Sequence, residues 1–254
     1  MPPDARPTPL AEEEAFFRRQ ALVPSTGGTP AGEGADLARR IDHTLLRPDA
    51  TAADVDRLCA EALRFGFATV CVHGSWVRRC AEILAGSRVG VCAVVGFPQG
   101  ATTSEAKAFE ARRAVEDGAA EVDMVLHVGA LKGGDHDYVR ADVEAVARVV
   151  HRLGARLKVI LETALLDRGE KVAACRIAQA AGADFVKTST GFARRGATVE
   201  DVELMRRTVG PAMGVKASGG VRDAASARAL LAAGASRIGA SASVAIVRGA
   251  DGAG

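Results

Sequence analysis

Lysine is scarce in this chain of 254 residues. Of 33 basic side chains only six are lysine: Lys107, Lys132, Lys158, Lys171, Lys187 and Lys216. Arginine meets nearly all the demand for surface positive charge, so a lysine in an apolar run asks for a chemical reason. The formal net charge of +2 leaves no electrostatic footprint for nucleic acid or an anionic membrane. No apolar run approaches the about 20 residues of a membrane-spanning helix, and the longest, around "VGVCAVVGF", falls far short. The acidic, proline-broken opening "MPPDARPTPLAEEEAFFRR" is unlike a secretory leader, so the expected location is the cytoplasm. The five cysteines (Cys59, Cys71, Cys80, Cys92 and Cys175) form no CxxC pair. Mostly apolar surroundings make them read as buried, reduced thiols rather than a disulfide or zinc framework.

What is present is a regular alternation. Residues 1–36 read as an N-terminal extension, a possible helix in "PLAEEEAFFRRQALV" followed by the flexible "PSTGGTPAGEGAD". From residue 37 to 254, short runs rich in Val and Ile alternate with Ala-, Arg- and Glu-rich stretches of helical period. The strand candidates are "RRIDHTLL", "ATVCVH", "VGVCAVVGF", "EVDMVLHVG", "RLKVILET", "ADFVKTS", "MGVKAS" and "SRIGAS". Many of the intervening helical stretches end in glycine, and Thr51, Thr103 and Thr198 sit where N-caps belong. Eight such units predict an α/β fold, the closed TIM (β/α)8 barrel, with a doubly wound open sheet as the alternative. The absence of GxGxxG after the first strand favours the barrel.

In a barrel, chemistry gathers at the carboxyl ends of strands, and phosphate sites favour the loops after strands seven and eight. Lys187 ends the sixth strand candidate and Lys216 the seventh, which makes them neighbours facing one mouth. Two ammonium groups brought together out of water cannot both stay charged cheaply, and a neutral amine is a Schiff-base nucleophile. Asp123, inside the apolar fourth strand, is a candidate counter-ion or proton carrier. Glu121 shares its face, and Glu162 ends strand five. Each lysine could instead pair with a carboxylate and merely close the barrel. Small residues around Gly191, "SGGVRD" from Ser218 and "GASASVAIV" from Gly239 can bring backbone N–H groups onto an anion. His43, His73 and His127 lie near strand ends but show no paired metal-ligand spacing, so no metal or other cofactor is expected. Metal-dependent aldolase or hydrolase chemistry, a pyridoxal-phosphate lysine and a non-catalytic sugar-phosphate sensor are the competing readings.

From Ile41 to Ser243 the chain resembles the deoxyribose-phosphate aldolases, class I aldolases of the TIM-barrel type. The stretches that carry the likeness are "IDHTLL", "VGFPQGATTSEAKAFEARRAVEDGAAEVDMV", "GALK", "LKVILET", "AGADFVKTSTGF", "KASGGVRD" and "RIGASAS". The resemblance implies that Lys187 forms the Schiff base, that Lys216 is the cation lowering its pKa, and that Asp123 takes part in proton relay. It implies that Thr190, Gly191, Gly219, Gly220, Gly239 and Ser241 surround the substrate phosphate. Asp42 and Thr44 match a polar cluster beside the site. The activity it implies is reversible cleavage of 2-deoxy-D-ribose 5-phosphate to glyceraldehyde 3-phosphate and acetaldehyde by a homo-oligomer that binds neither nucleic acid nor membrane. The chain departs from the pattern at His73 and Gly74, where many relatives read Asn-Pro, and at His127, where an asparagine is usual. Its tail, "VRGADGAG", lacks the tyrosine that some members carry.

Overall fold

The computed structural model describes residues 33–251. Eight parallel strands close in sequence order, and pairing of the first strand with the eighth rules out the open sheet. The strands are β1 (Ile41–Thr44), β2 (Thr69–His73), β3 (Gly90–Val95), β4 (Glu121–Val125), β5 (Arg156–Ile160), β6 (Phe185–Lys187), β7 (Gly214–Ser218) and β8 (Arg237–Ala240). Around them run α1 (Glu33–Ala38), α2 (Ala52–Phe65), α3 (Val77–Ile83), α4 (Ser104–Glu116), α5 (Val128–Lys132), α6 (His136–Arg152), α7 (Arg168–Ala180), α8 (Val199–Val209), α9 (Ala224–Ala232) and α10 (Ser243–Asp251). None of the described helices is long and apolar enough to cross a membrane. Helix α1 spans the expected start of the barrel at residue 37, buries Leu37 and Ala38 in the main core and lies against α10. Residues 1–32 of the expected extension lie outside the described residues.

Local signals set the helix ends. Thr51 accepts from the Asp54 backbone N–H while the Asp54 side chain accepts from the Thr51 N–H, a full capping box on α2. The same helix buries Val55, Leu58, Cys59 and Ala62, the i, i+3, i+4, i+7 stripe of one face, and ends at Gly66 with φ 68°. Thr103 and Thr198 cap α4 and α8 through their hydroxyls, as the sequence predicts.

Strand alternation places the core and the site on opposite faces of one sheet. Outward residues such as Val122, Met124, Leu157, Val159, Val186, Val215 and Ala217 join the main hydrophobic core beneath the helices. Their neighbours Glu121, Asp123, Lys158, Lys187 and Lys216 meet one another in ion pairs across the barrel interior. A barrel interior is ordinarily filled by branched apolar side chains. Here charge fills much of it, and a small separate apolar patch of Leu46, Cys71, Cys92, Val94 and Phe97 lines part of the wall.

Candidate active site

Asp123 is the hub. Its Oδ2 accepts from Lys187 Nζ at 2.8 Å and from Lys216 Nζ at 2.7 Å, and its Oδ1 accepts from Lys158 Nζ at 2.7 Å. Lys187 closes β6, as expected. Lys216 stands in the middle of β7 rather than at its end, directly opposite Lys187 in the register. The one-strand separation therefore delivers both amines to a single carboxylate oxygen.

Asp42 on β1 is part of this cluster rather than beside it. Its Oδ2 lies 2.5 Å from Lys216 Nζ and 3.7 Å from Lys158 Nζ, and its Oδ1 accepts from Arg237 at 2.5 Å. Glu121 holds Lys158 at 2.6 Å and Arg237 at 3.0 Å. Burial by itself would raise the Asp123 carboxyl, but Lys158, Lys187 and Lys216 outweigh it and hold it well below the carboxylate range. Asp42 is lowered in the same way, against burial, by Lys216, Lys158 and Arg237. Burial would also neutralise Lys158 and Lys216, yet Asp123 and Asp42 raise both above the ordinary lysine value and keep them charged.

The remaining expected residues fall at the mouth or in the strands. Thr190, Gly191, Gly219 and Gly220 follow β6 and β7, and the three glycines adopt positive φ (92°, 86° and 77°). Gly219 packs against Gly196, so the two loops meet through backbone, and the Ala197 N–H donates to the Ser218 and Gly219 carbonyls. Ser241 follows β8 and is exposed. Gly239 lies inside β8 rather than in the loop after it, and a Cβ there would meet Lys216 Cε and Ser218 Cβ, each at 2.9 Å. Its hydrogen makes room for the lysine stem. Thr44 turns its hydroxyl onto the Asp42 carbonyl at 2.9 Å.

Glu162 does not reach the lysines. It stands two residues past β5 at φ 56°, where its Oε2 accepts from the Thr190 backbone N–H at 3.2 Å and from the Thr190 hydroxyl. Each histidine is engaged away from the hub. His43 pairs with Glu61 at 2.7 Å, His73 bonds the Leu46 carbonyl at 3.0 Å, and His127 caps α5 by accepting from the Ala130 N–H. Two groups with metal-ligand spacing stand out among the described residues, Cys71–Cys92–Asp123 and Asp42–Cys92–Glu121. Both contain no histidine, and their carboxylate oxygens already carry ammonium or guanidinium partners. A cleft of about 650 Å³ lined by Leu84, Val89, Gly90 and Gly118 opens at the amino ends of β3 and β4 and holds none of the hub residues.

Lys158 and Arg237 are the members that sequence reasoning missed. Lys158 carried the same signal as Lys187 and Lys216, a rare lysine between apolar residues of a strand ("RLKVI").

The chain matches known proteins along the whole of its barrel. The family model described as DeoC/LacD family aldolase matches residues 37–250. The deoxyribose-phosphate aldolase of Geobacillus sp. strain WCH70 is 58% identical over 214 residues, 84% of this chain and 96% of that enzyme. That of Thermococcus gammatolerans is 56% identical over 219 residues, 85% of this chain and 97% of its own length. Among solved structures, the tetrameric deoxyribose phosphate aldolase from Aeropyrum pernix is similar at 33% identity with a TM-score of 0.81, covering 95% of this chain and 97% of that one. On the match across its whole barrel, the chain belongs to the DeoC/LacD family of aldolases.

Proposed function

We propose that this chain is a class I aldolase that reversibly cleaves 2-deoxy-D-ribose 5-phosphate to glyceraldehyde 3-phosphate and acetaldehyde, with Lys187 as the Schiff-base lysine. The observation that carries the assignment is the sharing of one Asp123 oxygen by Lys187 and Lys216. Three buried carboxylates, Asp42, Glu121 and Asp123, face four cations of the barrel interior, Lys158, Lys187, Lys216 and Arg237, while the exposed Arg156 also pairs with Glu121 at 2.5 Å but keeps its charge in solvent. Burying a net charge is costly, and the cluster balances when one amine is neutral. Lys158 touches three carboxylates and Lys216 and Arg237 two each, whereas Lys187 touches Asp123 alone among the described residues. Lys187 is therefore the amine least committed to the cluster, and the one we assign as the nucleophile.

Neutral Lys187 adds to the C1 aldehyde, and loss of water leaves an iminium. Acetaldehyde takes C1 and C2, so the bond that breaks is C2–C3. Its electrons pass into the iminium as an enamine while the C3 hydroxyl loses its proton and becomes the new aldehyde. Protonation of the enamine at C2 and hydrolysis release acetaldehyde and the free lysine. Asp123, held ionised, is a weak base. Its part is to keep Lys216 and Lys158 charged, to orient Lys187, and to pass on protons belonging to the ammonium groups it touches. The left-handed glycines Gly191, Gly219 and Gly220, with Thr190, Gly239 and Ser241 nearby, supply the phosphate end of the site. The tetrameric state of the Aeropyrum relative supports reading this chain as a homo-oligomer.

Borohydride trapping with acetaldehyde or 2-deoxyribose 5-phosphate, followed by peptide mass mapping, tests the assignment. A reduced adduct on Lys187, and its loss together with turnover in folded Lys187→Met, is expected. An adduct on another lysine, or turnover without any adduct, defeats it.

A further inference from the structure

Cys71 and Cys92 are buried, free thiols, as expected, but their placement gives this pair a chemical setting the other cysteines lack. They are register partners on β2 and β3, both fully buried, in the inner-wall patch with Leu46, Val94 and Phe97. Their sulfur atoms and an Asp123 oxygen lie within 4.8 Å of one another. Cys92 Sγ donates to Asp123 Oδ1 at 3.1 Å and accepts from Lys158 Nζ at 3.2 Å. The pair is thus wired to the hub carboxylate and faces the same interior as Lys187, unlike Cys59 and Cys80, which join the core outside the sheet.

We propose that Cys71 and Cys92 form a peroxide-responsive dithiol whose oxidation to a disulfide switches the aldolase site off. The Cys92 thiol, hydrogen-bonded to Cys71, draws the Cys71 thiol down to about 7, overcoming the opposing effect of burial, and Lys216 and Lys187 add to the lowering. Cys71 is thereby the attacking sulfur, since the thiolate is the nucleophile. Burial and the Cys71 contact push Cys92 well above the ordinary thiol value, so it enters second, as the resolving thiol. The Cys71 thiolate attacks one peroxide oxygen, the O–O bond breaks, and the products are a sulfenic acid and hydroxide. Cys92 then attacks the sulfenyl sulfur, the S–O bond breaks, and the thiol proton leaves with the displaced hydroxide as water. Two thiols lose two electrons to one peroxide, which leaves as two waters.

Adjacent strands stand about 4.8 Å apart, inside the Cα span that a disulfide bridges, though side chains from a flat parallel pair meet at a wider Cβ separation than the bond prefers. Such a bond is strained and readily reduced, which suits a reversible switch rather than a structural link. Its formation removes the S–H donor from Asp123 and draws the Lys158 acceptor sulfur toward β2.

The test is oxidation of the native protein with hydrogen peroxide, then denaturing alkylation and peptide mapping. The expected product is a Cys71–Cys92 cross-linked peptide two hydrogens lighter than the separate thiols, with loss of turnover that dithiothreitol restores. Cys71→Ala should keep whatever turnover it has under the same treatment. The loss-of-turnover arm rests on the aldolase reading, but the cross-link is scored by mass and stands or falls separately. Reduced protein without turnover would defeat the aldolase reading and leave the dithiol to be judged on its peptide. Recovery of both cysteines alkylated from oxidised, folded protein, or a bridge at Cys59–Cys80 instead, overturns the proposal.

Discussion

Lys216→Met isolates the electrostatic argument, because methionine keeps most of the buried stem and removes only the charge. Lys187 and Lys216 share Asp123 Oδ2 at 2.8 and 2.7 Å, so their nitrogens lie no farther apart than the sum of those distances, about 5.5 Å. Two unit charges at about 5.5 Å repel by about 3 kcal/mol at an effective dielectric of about 20. That energy corresponds to about 2 pH units. The acid limb of the kcat/KM profile for deoxyribose phosphate cleavage should therefore move up by about 2 units, which is about 100-fold in rate near neutrality. Removing the ammonium also leaves Asp42 and Asp123 each short of a partner. Breaking a buried pair costs about 3–5 kcal/mol, so a thermal melt must accompany the kinetics. Borohydride trapping at several pH values reads the same shift without the later steps. A folded variant that is slowed equally at every pH, with its acid limb unmoved, would refute the claim that Lys216 acts by holding Lys187 neutral.

Gly239→Ala puts a methyl 2.9 Å from Lys216 Cε and from Ser218 Cβ, and overpacking of this kind costs about 1–3 kcal/mol. We expect a folded protein with kcat/KM reduced about tenfold because the lysine stem must move; unchanged kinetics would show that the stem has slack. His43 titrates in the opposite setting. Burial, ahead of the opposing pull of Glu61, lowers it below the ordinary 6.5, so the unfolded chain binds the proton more readily. Its contribution to stability is complete above 6.5 and is lost as pH falls through the lowered folded value. Urea midpoints at about pH 5.5 and about pH 7.5 should differ more in the wild type than in His43→Asn, and equal slopes would contradict this.

The barrel was legible because its signals are local and repeat. Thr51, Thr103 and Thr198 announce helix starts, Gly66 announces an end, and each valine-rich run is short enough to be a strand. The hub was legible in part, and the reason lies in how a strand hides its inner face. In "EVDMV" and "FVK" the polar residues alternate with apolar ones that belong to the outer core, so charge in an apolar strand points inward. That rule reaches Asp123, Lys187 and Lys216, and applied evenly it reaches Lys158 between Leu157 and Val159 as well. It does not reach Arg237. An arginine at the first position of β8 reads as an ordinary strand-edge cation, and only the closure of β8 onto β1 brings it to Asp42.

The place of Gly239 is equally non-local, since its missing side chain is required by a lysine on the neighbouring strand, at a height that strand stagger determines. These two residues show why the charged interior holds together. The four interior cations and three carboxylates can share a space normally packed with valine and leucine only if every charge has its opposite within reach, and the exposed Arg156 adds a further partner to Glu121 from outside. On the assignment proposed above, one neutral amine would serve both the charge balance of the buried cluster and the chemistry of a Schiff-base lysine, and Lys187, with a single carboxylate partner among the described residues, is the amine least bound into that cluster.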